Sequence, residues 1–578
     1  MSKVIKKSNQ KEFLYYLPSY LFIIFIIWFL ITFFIYPNIN LIAETFFPDG
    51  TLDFSAIQQI LRSDRAINAI KNSFILAITM TVTSNIIGIF QVLVTEYFDI
   101  KGSRLLRVGY MNTLIFGGVI LVNGYVLVYG DEGTLTTLLK NFLPFLDNYS
   151  FSGFWAVLFI QTFATTSGHM IYLRNAVNGL DNGVIEASQN LGGSNWETLR
   201  NVVLPMLKPT LLTLIVNTFA AGLGAFAAPL IVGGRDFQTI SPLILTFANR
   251  PASRDLAAVM SIFLGFFQII MLVVITYYER KGHYLSIAKT KTKIKKQTIS
   301  NKLLNILTHV FAYILLIINV LPFISVILFS FMDTAAIGSG QLSFDSFTLE
   351  HYSSVILNPT NYGPLLRSVI YSAIASLVSV IYMVMVARLV IRSKNKWIKN
   401  LEFGFYIPIL LPTLLMILGL IMSYSSPNPL MFNQVIVGSS WAIPLVYLLT
   451  LLPSTLRYIK AALYSFDSNL EEASQNLGAS RIRTFLQIII PGILPTLLAL
   501  FALNFNSNLS EYDISAFLYQ PGAPTLGVVI RNNADPQATI DARAINLVYS
   551  VIIMVINAIT LYYVYGRGSD GLQRKKAK

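Results

Sequence analysis

The chain has 578 residues, 54% hydrophobic and only 12% charged, with no cysteine and a net charge of +14 from 42 Lys+Arg against 28 Asp+Glu. Soluble domains carry about 25% charged residues, so a string of soluble domains is excluded, as are a disulfide scaffold, thiol catalysis and cysteine-bound metal centres. The basic excess lies in loops between apolar runs, where it acts as a topology signal and not as a nucleic-acid-binding face.

A bilayer needs about 20 apolar residues per helical crossing. Windows of that kind predict six spans near 13–36, 73–96, 108–130, 153–174, 204–226 and 257–278, and six more near 307–331, 368–391, 401–424, 436–457, 488–510 and 546–566. The expected fold is therefore all-α, a polytopic membrane protein with about 12 spans as two six-helix halves. The first apolar run exceeds the roughly 7–15 residues of a signal-peptide core, and no small-x-small site follows Ile35, so a retained first span is expected. Basic residues cluster at Lys3, Lys6, Lys7 and Lys11, from Arg280 through Lys289, Lys291, Lys293, Lys295 and Lys296 to Lys302, at Arg392 to Lys399, and at Arg574 to Lys578. All four clusters fall on one side, the expected cytoplasm, whereas Glu44, Asp49, Asp53, Asp131 and Glu132 fall on the other. This divides the chain into an inner N-terminal segment 1–12, a first half 13–278, a basic linker 279–306, a second half 307–566 and an inner tail 567–578.

The halves repeat. Residues 186–192 and 472–478 both read EASQNLG, 286 positions apart, and the same offset aligns Tyr172 with Tyr458, Asp181 with Asp467, Pro205 with Pro491 and Pro209 with Pro495. Both copies fall between the fourth and fifth spans of their half, on the cytoplasmic side. Glu186, Glu471 and Glu472 suit a helix N-terminus, Gly192 and Gly478 suit a left-handed helix end, and second helices are expected over 195–203 and 481–490. Pro205 and Pro491 are expected to open the following span. Two matching loops imply two equivalent contacts with a symmetric partner.

Glu186-Ala187-Ser188, Gly192, Val202, Leu204 and Pro205 resemble the EAA loop of ABC importer permeases, and Glu472-Ala473-Ser474, Gly478, Ile488, Ile490 and Pro491 resemble it again. The third position is Ser where the pattern has a second Ala, Val202 replaces Ile, and Ile490 replaces Leu. The chain resembles the fused iron(III)-type permeases of the binding-protein-dependent group, whose relatives serve thiamine, polyamines, sulfate and phosphonates. The stretches from Gly224 to Gly234 and from Glu511 to Gly522 are similar to two segments of that subgroup. Ala225 departs where it often has Glu, and the prolines its relatives carry in the third span are missing, although the ninth keeps Pro408 and Pro412.

The resemblance implies two ATPase subunits beneath the membrane, each receiving one loop, with ATP and magnesium bound on those partners and no cofactor in this chain. Glu186 and Glu472 would contact the ATPases, and Gly192 and Gly478 would permit the bend. It also implies an extracytoplasmic binding protein, a bacterial cytoplasmic membrane and, as the first expectation for cargo, ferric iron. Thiamine, polyamine, aminophosphonate and sugar phosphate stay open. The chain itself has no G-x-x-x-x-G-K-[ST] phosphate loop.

For a pathway, Asn504, Asn508, Glu511 and Ser515 share one helical face by spacing, with Asp513 beside them and Asn217 the first-half candidate. The alternative for that face is mutual satisfaction of the polar groups. Small residues Gly222 and Gly224 suit close helix packing. His169 lies near a span end, His283, His309 and His351 are scattered, and no pair has metal-ligand spacing. An ion-coupled secondary transporter is the alternative class, since it also repeats bundles of spans; the duplicated loop discriminates against it.

Overall fold

The computed structural model describes residues 20–48, 50–115, 117–140, 142–143, 149–281, 294–535 and 537–562. The charges at Lys3, Lys6, Lys7, Lys11, Asp49, Lys289, Lys291 and Lys293, the tail from residue 567, and His283 lie outside the described residues. Among the described residues the chain is helical, with only isolated bridges besides.

The first half runs α1 (Tyr20–Phe46), α2 (Asp64–Val92), α3 (Ser103–Tyr110), α4 (Gly118–Tyr129), α5 (Gly153–Asn178), the short α6 (Asn182–Asn190), α7 (Leu204–Leu223) and α8 (Arg254–Lys281). The second repeats the order as α9 (Lys302–Phe329), α10 (Pro359–Arg392), α11 (Lys396–Gly404), α12 (Thr413–Tyr424), α13 (Ala442–Ser465), the short α14 (Ser468–Asn476), α15 (Ile490–Leu509) and α16 (Ile540–Leu561). Nine helices among the described residues are long and apolar enough to cross a bilayer. The other predicted spans are helical too but differ in form. α5 is unbroken but polar, with Thr162, Thr165, Thr166 and His169 along it.

The third and ninth spans are not straight rods. Between α3 and α4 the path bends by 118°, next to Gly117 and to Gly118 with its left-handed φ of +61°. In the ninth span the helix stops at Leu411, which is extended with φ −111° and ψ 139°. The ring of Pro412 disfavours a helical residue before it.

Each half is built around three helices held by a buried polar knot. In the first, α2, α5 and α7 pack together, with Asn85 Oδ1 accepting from His169 Nε2 at 3.1 Å and Asn85 Nδ2 donating to Thr218 Oγ1 at 3.0 Å. His169 is fully buried, so it belongs to the interior and not to a span end. A Cβ on Gly88 would meet its ring at 2.3 Å. Gly222 lets α7 approach α2, since a Cβ there would meet Ala77 Cα at 2.8 Å. In the second half α10, α13 and α15 pack together. Asn504 donates to Thr455 Oγ1 at 2.9 Å, and Ser379 donates to the same atom at 3.1 Å. Thr455 and Asn504 occupy the repeat positions of His169 and Thr218. Asn504 is therefore a knot residue and not a pathway residue. Leaving the buried Thr455 hydroxyl without the Asn504 donor should cost about 1–3 kcal/mol. Asn504→Ala is expected to unfold earlier in a detergent thermal melt while keeping wild-type apparent cargo affinity in uptake.

The first helix of each half crosses to the other. α1 packs on α12, and α9 packs on α4 and α3. Tyr424 donates its hydroxyl to Thr32 O at 2.5 Å and Trp28 Nε1 donates to Leu430 O at 3.1 Å. On the other side Tyr110 donates to Ala312 O at 2.7 Å and Asn112 Nδ2 to Asn319 O at 2.6 Å. Both hydrophobic cores consequently contain residues from both halves, and the fused chain is one body.

Candidate functional site

The two repeated loops have one geometry. α6 is capped by Asp181, which accepts from Gly183 N at 3.1 Å, and α14 by Asp467, which accepts from Asn469 N at 2.9 Å. These aspartates begin the helices, so Glu471 lies in the first turn as expected, whereas Glu186 and Glu472 lie farther inside. Gly192 then takes φ +92° and Gly478 φ +88°, the left-handed region that favours glycine. Their N–H groups donate to Gln189 O and Gln475 O, both at 2.9 Å, and the next N–H groups, of Gly193 and Ala479, donate back to Ser188 O and Ser474 O at 3.0 and 3.1 Å.

Ser188 and Ser474, the departures from the EAA pattern, each hydrogen-bond a threonine across the turn. Ser188 Oγ lies 3.0 Å from Thr198 Oγ1, and Ser474 Oγ lies 3.0 Å from Thr484 Oγ1. The threonines were legible in principle, because they too stand 286 positions apart. Ser194 and Ser480 cap the next helices, Asn195–Thr198 and Arg481–Thr484. In the first copy Glu197 completes a capping box. The backbone and side-chain hydrogen bonds with Ser194 hold the Glu197 carboxyl below its ordinary value. A lowered carboxyl favours the folded cap at neutral pH, and that contribution fades only as pH falls through the lowered value.

Pro205 and Pro491 stand in the first turn of α7 and α15, as expected. Each sits one residue into α7 or α15, directly after a wide turn, Leu199–Val203 or Phe485–Ile489, that joins it to the preceding helix. Proline has no N–H to donate to the previous turn, and a widened turn before it is one way to absorb the missing bond. Leu204 and Ile488 are half-buried beside these prolines. The outer faces of the loops are open. Glu186, Ala187, Glu472 and Ala473 are exposed, and at the tips Leu191 and Leu477 are 90% and 89% exposed.

α15 runs away from its loop for about 30 Å. At its far end a cavity of 420 Å³ lies between the halves, walled by Gly117, Gly118 and Val119 of the first half and by Leu503, Asn506, Ser507, Ser510, Glu511, Asp513 and Asn557 of the second. The face of α15 that lines it is thus 503, 506 and 507, with Ser510 just past the helix end, not the predicted 504 and 508. Asn508 is buried in the packed interior, and Asn217 is exposed on α7 but does not line this cavity. The helix also ends at Leu509, so Glu511 and Ser515 do not continue its face. Asn506, Ser507 and Asn557 were missed because spacing alone does not choose between adjacent faces of a helix with asparagines on both.

Glu511 and Asp513 differ sharply in environment. Glu511 Oε1 accepts from Ile514 N at 2.6 Å, and Oε2 accepts from Ser515 N at 3.2 Å and Ser515 Oγ at 3.3 Å. It caps the short helix Ser515–Leu518. A Cβ on Gly527 would meet Glu511 O at 2.3 Å, so glycine is required for that close approach. Asp513 is exposed to the cavity and makes no hydrogen bond or ion pair among the described residues. The repeat positions in the first half are Ala225 and Ala227, so the negative charge stands on one wall only.

Residues 12–282 and 383–567 match the family described as binding-protein-dependent transport system inner membrane component. A probable ABC transporter permease protein of Sinorhizobium fredii is 34% identical over 557 residues, covering 96% of this chain and 96% of its own. A ferric transport system permease protein of Actinobacillus pleuropneumoniae is 22% identical, covering 94% of this chain and 78% of its own. A chain in the crystal structure of a bacterial ABC transporter involved in the import of the acidic polysaccharide alginate aligns with TM-score 0.40 and 17% identity, over 48% of this chain and 99% of that chain. With the family matched in both halves and a full-length relative at 34% identity, the chain belongs to the inner membrane components of binding-protein-dependent transport systems, as a multi-pass membrane protein carrying two permease units in one polypeptide.

Proposed function

We propose that the chain is the transport subunit of an ATP-driven importer in a bacterial cytoplasmic membrane, with the repeated loops facing the cytoplasm and docking two ATPase subunits. The observation that carries this is the pair of turns around Gly192 and Gly478 with matching backbone conformation and hydrogen bonds, each presenting a leucine about nine-tenths exposed. An apolar tip so exposed fits a groove on a partner better than it fits water. The partners bind and hydrolyse ATP with magnesium, and this chain is not itself an enzyme. A binding protein outside delivers cargo to the cavity at Asp513, and the ATP-bound partners must prefer one conformation of the permease over the other.

For cargo we propose ferric iron. Support comes from the ferric-transport relative, which aligns along nearly the whole chain, and from the carboxylate at Asp513, a hard oxygen donor suited to a hard cation. The test is reconstitution of the chain in liposomes with its ATPase and binding protein. ATP-dependent uptake of radiolabelled ferric iron is expected, with uptake and ATPase binding both lost in Leu191→Asp/Leu477→Asp. Uptake of thiamine, a polyamine, an aminophosphonate or a sugar phosphate in place of iron overturns the cargo assignment alone. Ion-driven uptake by the chain without an ATPase overturns the importer reading.

A further inference from the structure

The exposed heptapeptide EASQNLG is identical in the two loops, but the residues that attach each loop to the membrane helices are not. In the first half the end of the basic linker lies across α6. Lys295 N donates to Asn182 Oδ1 at 3.0 Å, Gln189 Nε2 donates to Gln297 Oε1 at 2.7 Å, and Asn195 Nδ2 donates to Thr298 O at 2.7 Å. The same segment pairs with the end of the α2 span: Gln297 N donates to Tyr97 O at 2.8 Å and Asp99 N to Gln297 O at 2.9 Å. Ile294 and Ile299 pack on the core beside it. These residues lead into α9, the helix that crosses to the first half, so the second half supplies a strap to the first half's loop.

The second loop has a different anchor. Position 471, which repeats the fully packed Ile185, is a glutamate with a side chain only 8% exposed, and it pairs with both Arg388 and Arg392 at the end of α10. Gln475, the counterpart of Gln189, donates to Glu471 Oε1 at 3.1 Å instead of to a strap. The strap's other acceptors and donors also change between the copies: Asn182 becomes Ser468 and Asn195 becomes Arg481.

We propose that the two loops are inequivalent levers: the first is fixed to the α2 end by the linker strap 294–299, and the second by an ionic latch of Glu471 with Arg388 and Arg392. This rests on the reading that the loops are the ATPase contacts, and it assigns each contact its own mechanical coupling to the bundle. Gln297 is the central strap residue, since its backbone bridges to the α2 end and its side chain to α6. Glu471 is the central latch residue, since removing it leaves two guanidinium groups facing one another.

Hydrogen–deuterium exchange on the full chain in nanodiscs tests the proposal without any ATPase, so its outcome is separate from that of the docking reading. Gln297→Ala removes the side-chain bonds to Gln189 and to Lys295 O, and Gln297→Pro removes these and the backbone donor to Tyr97 as well. Both are expected to speed exchange in residues 182–198, about tenfold for the proline variant, with residues 468–484 unchanged. Glu471→Gln is expected to do the reverse. Each loop is the other's control for global damage. Equal responses of both loops to either variant, or no response of the first loop to Gln297→Pro, would overturn the proposal.

Discussion

Gly478→Val is expected to cut ATP-driven transport at least about tenfold while the protein still inserts and purifies, because a shift of about 1.4 kcal/mol in the population of the docking turn is enough. The reason is not space. No atom lies within 4 Å of where a Cβ would sit. The obstacle is the backbone, held at φ +88° by the bonds from Gly478 N to Gln475 O and from Ala479 N to Ser474 O. A left-handed conformation costs an L-residue roughly 1–2 kcal/mol, and β-branched side chains tolerate it worst. Asparagine, which visits this region most readily after glycine, should retain most activity, alanine less and valine least. That order separates a conformational requirement from a steric one, which would rank the variants by volume and put alanine ahead of asparagine. Gly192 at φ +92° should follow the same series. Wild-type transport with normal ATPase association in Gly478→Val would remove the coupling role of the turn.

The parts of the molecule legible in the sequence are those encoded locally. Apolar runs located the helices, and the duplicated heptapeptide located the two turns, whose glycines take the conformation their position predicts. Tertiary choices were not legible. Inside a bilayer the face of a helix toward lipid and the face toward another helix are both apolar, so nothing along α1 announces that it packs on α12. The same ambiguity misassigned Asn504, which satisfies Thr455 in a buried knot, and passed over Asn506 two residues later on the cavity wall. The N-caps Asp181 and Asp467 were not legible, since they cap through side chains that look like ordinary loop residues. The strap was invisible because its bonds run mainly through backbone groups and amides more than 100 residues apart in the chain.

The carboxylates of the cavity wall offer the sharper test of what passes through it. Asp513→Asn should lower uptake of a cationic cargo by about tenfold or more, because the variant removes a carboxylate that is exposed in the cavity with no hydrogen bond or ion pair of its own among the described residues. Since Asp513 holds no partner among the described residues, its thermal stability should remain within the usual range for a surface change, about 0.5 kcal/mol. Glu511→Gln should behave in the opposite way. Glu511 accepts two backbone bonds and one hydroxyl bond at the start of Ser515–Leu518, so the amide weakens the cap and lowers the melting temperature. Asp513→Glu, which keeps the charge, should recover uptake in part. If Asp513→Asn transports at the wild-type rate, the charge is not part of the route, and a cargo recognised by that charge is ruled out; if Glu511→Gln melts normally, the division of labour between the two carboxylates fails. Because the first half presents only Ala225 and Ala227 at these positions, Ala227→Asp places a second carboxylate at the repeat position of Asp513. For a cation passing between the halves that charge should deepen the trap, slowing release more than it aids capture, whereas an anionic cargo would be excluded from the cavity altogether.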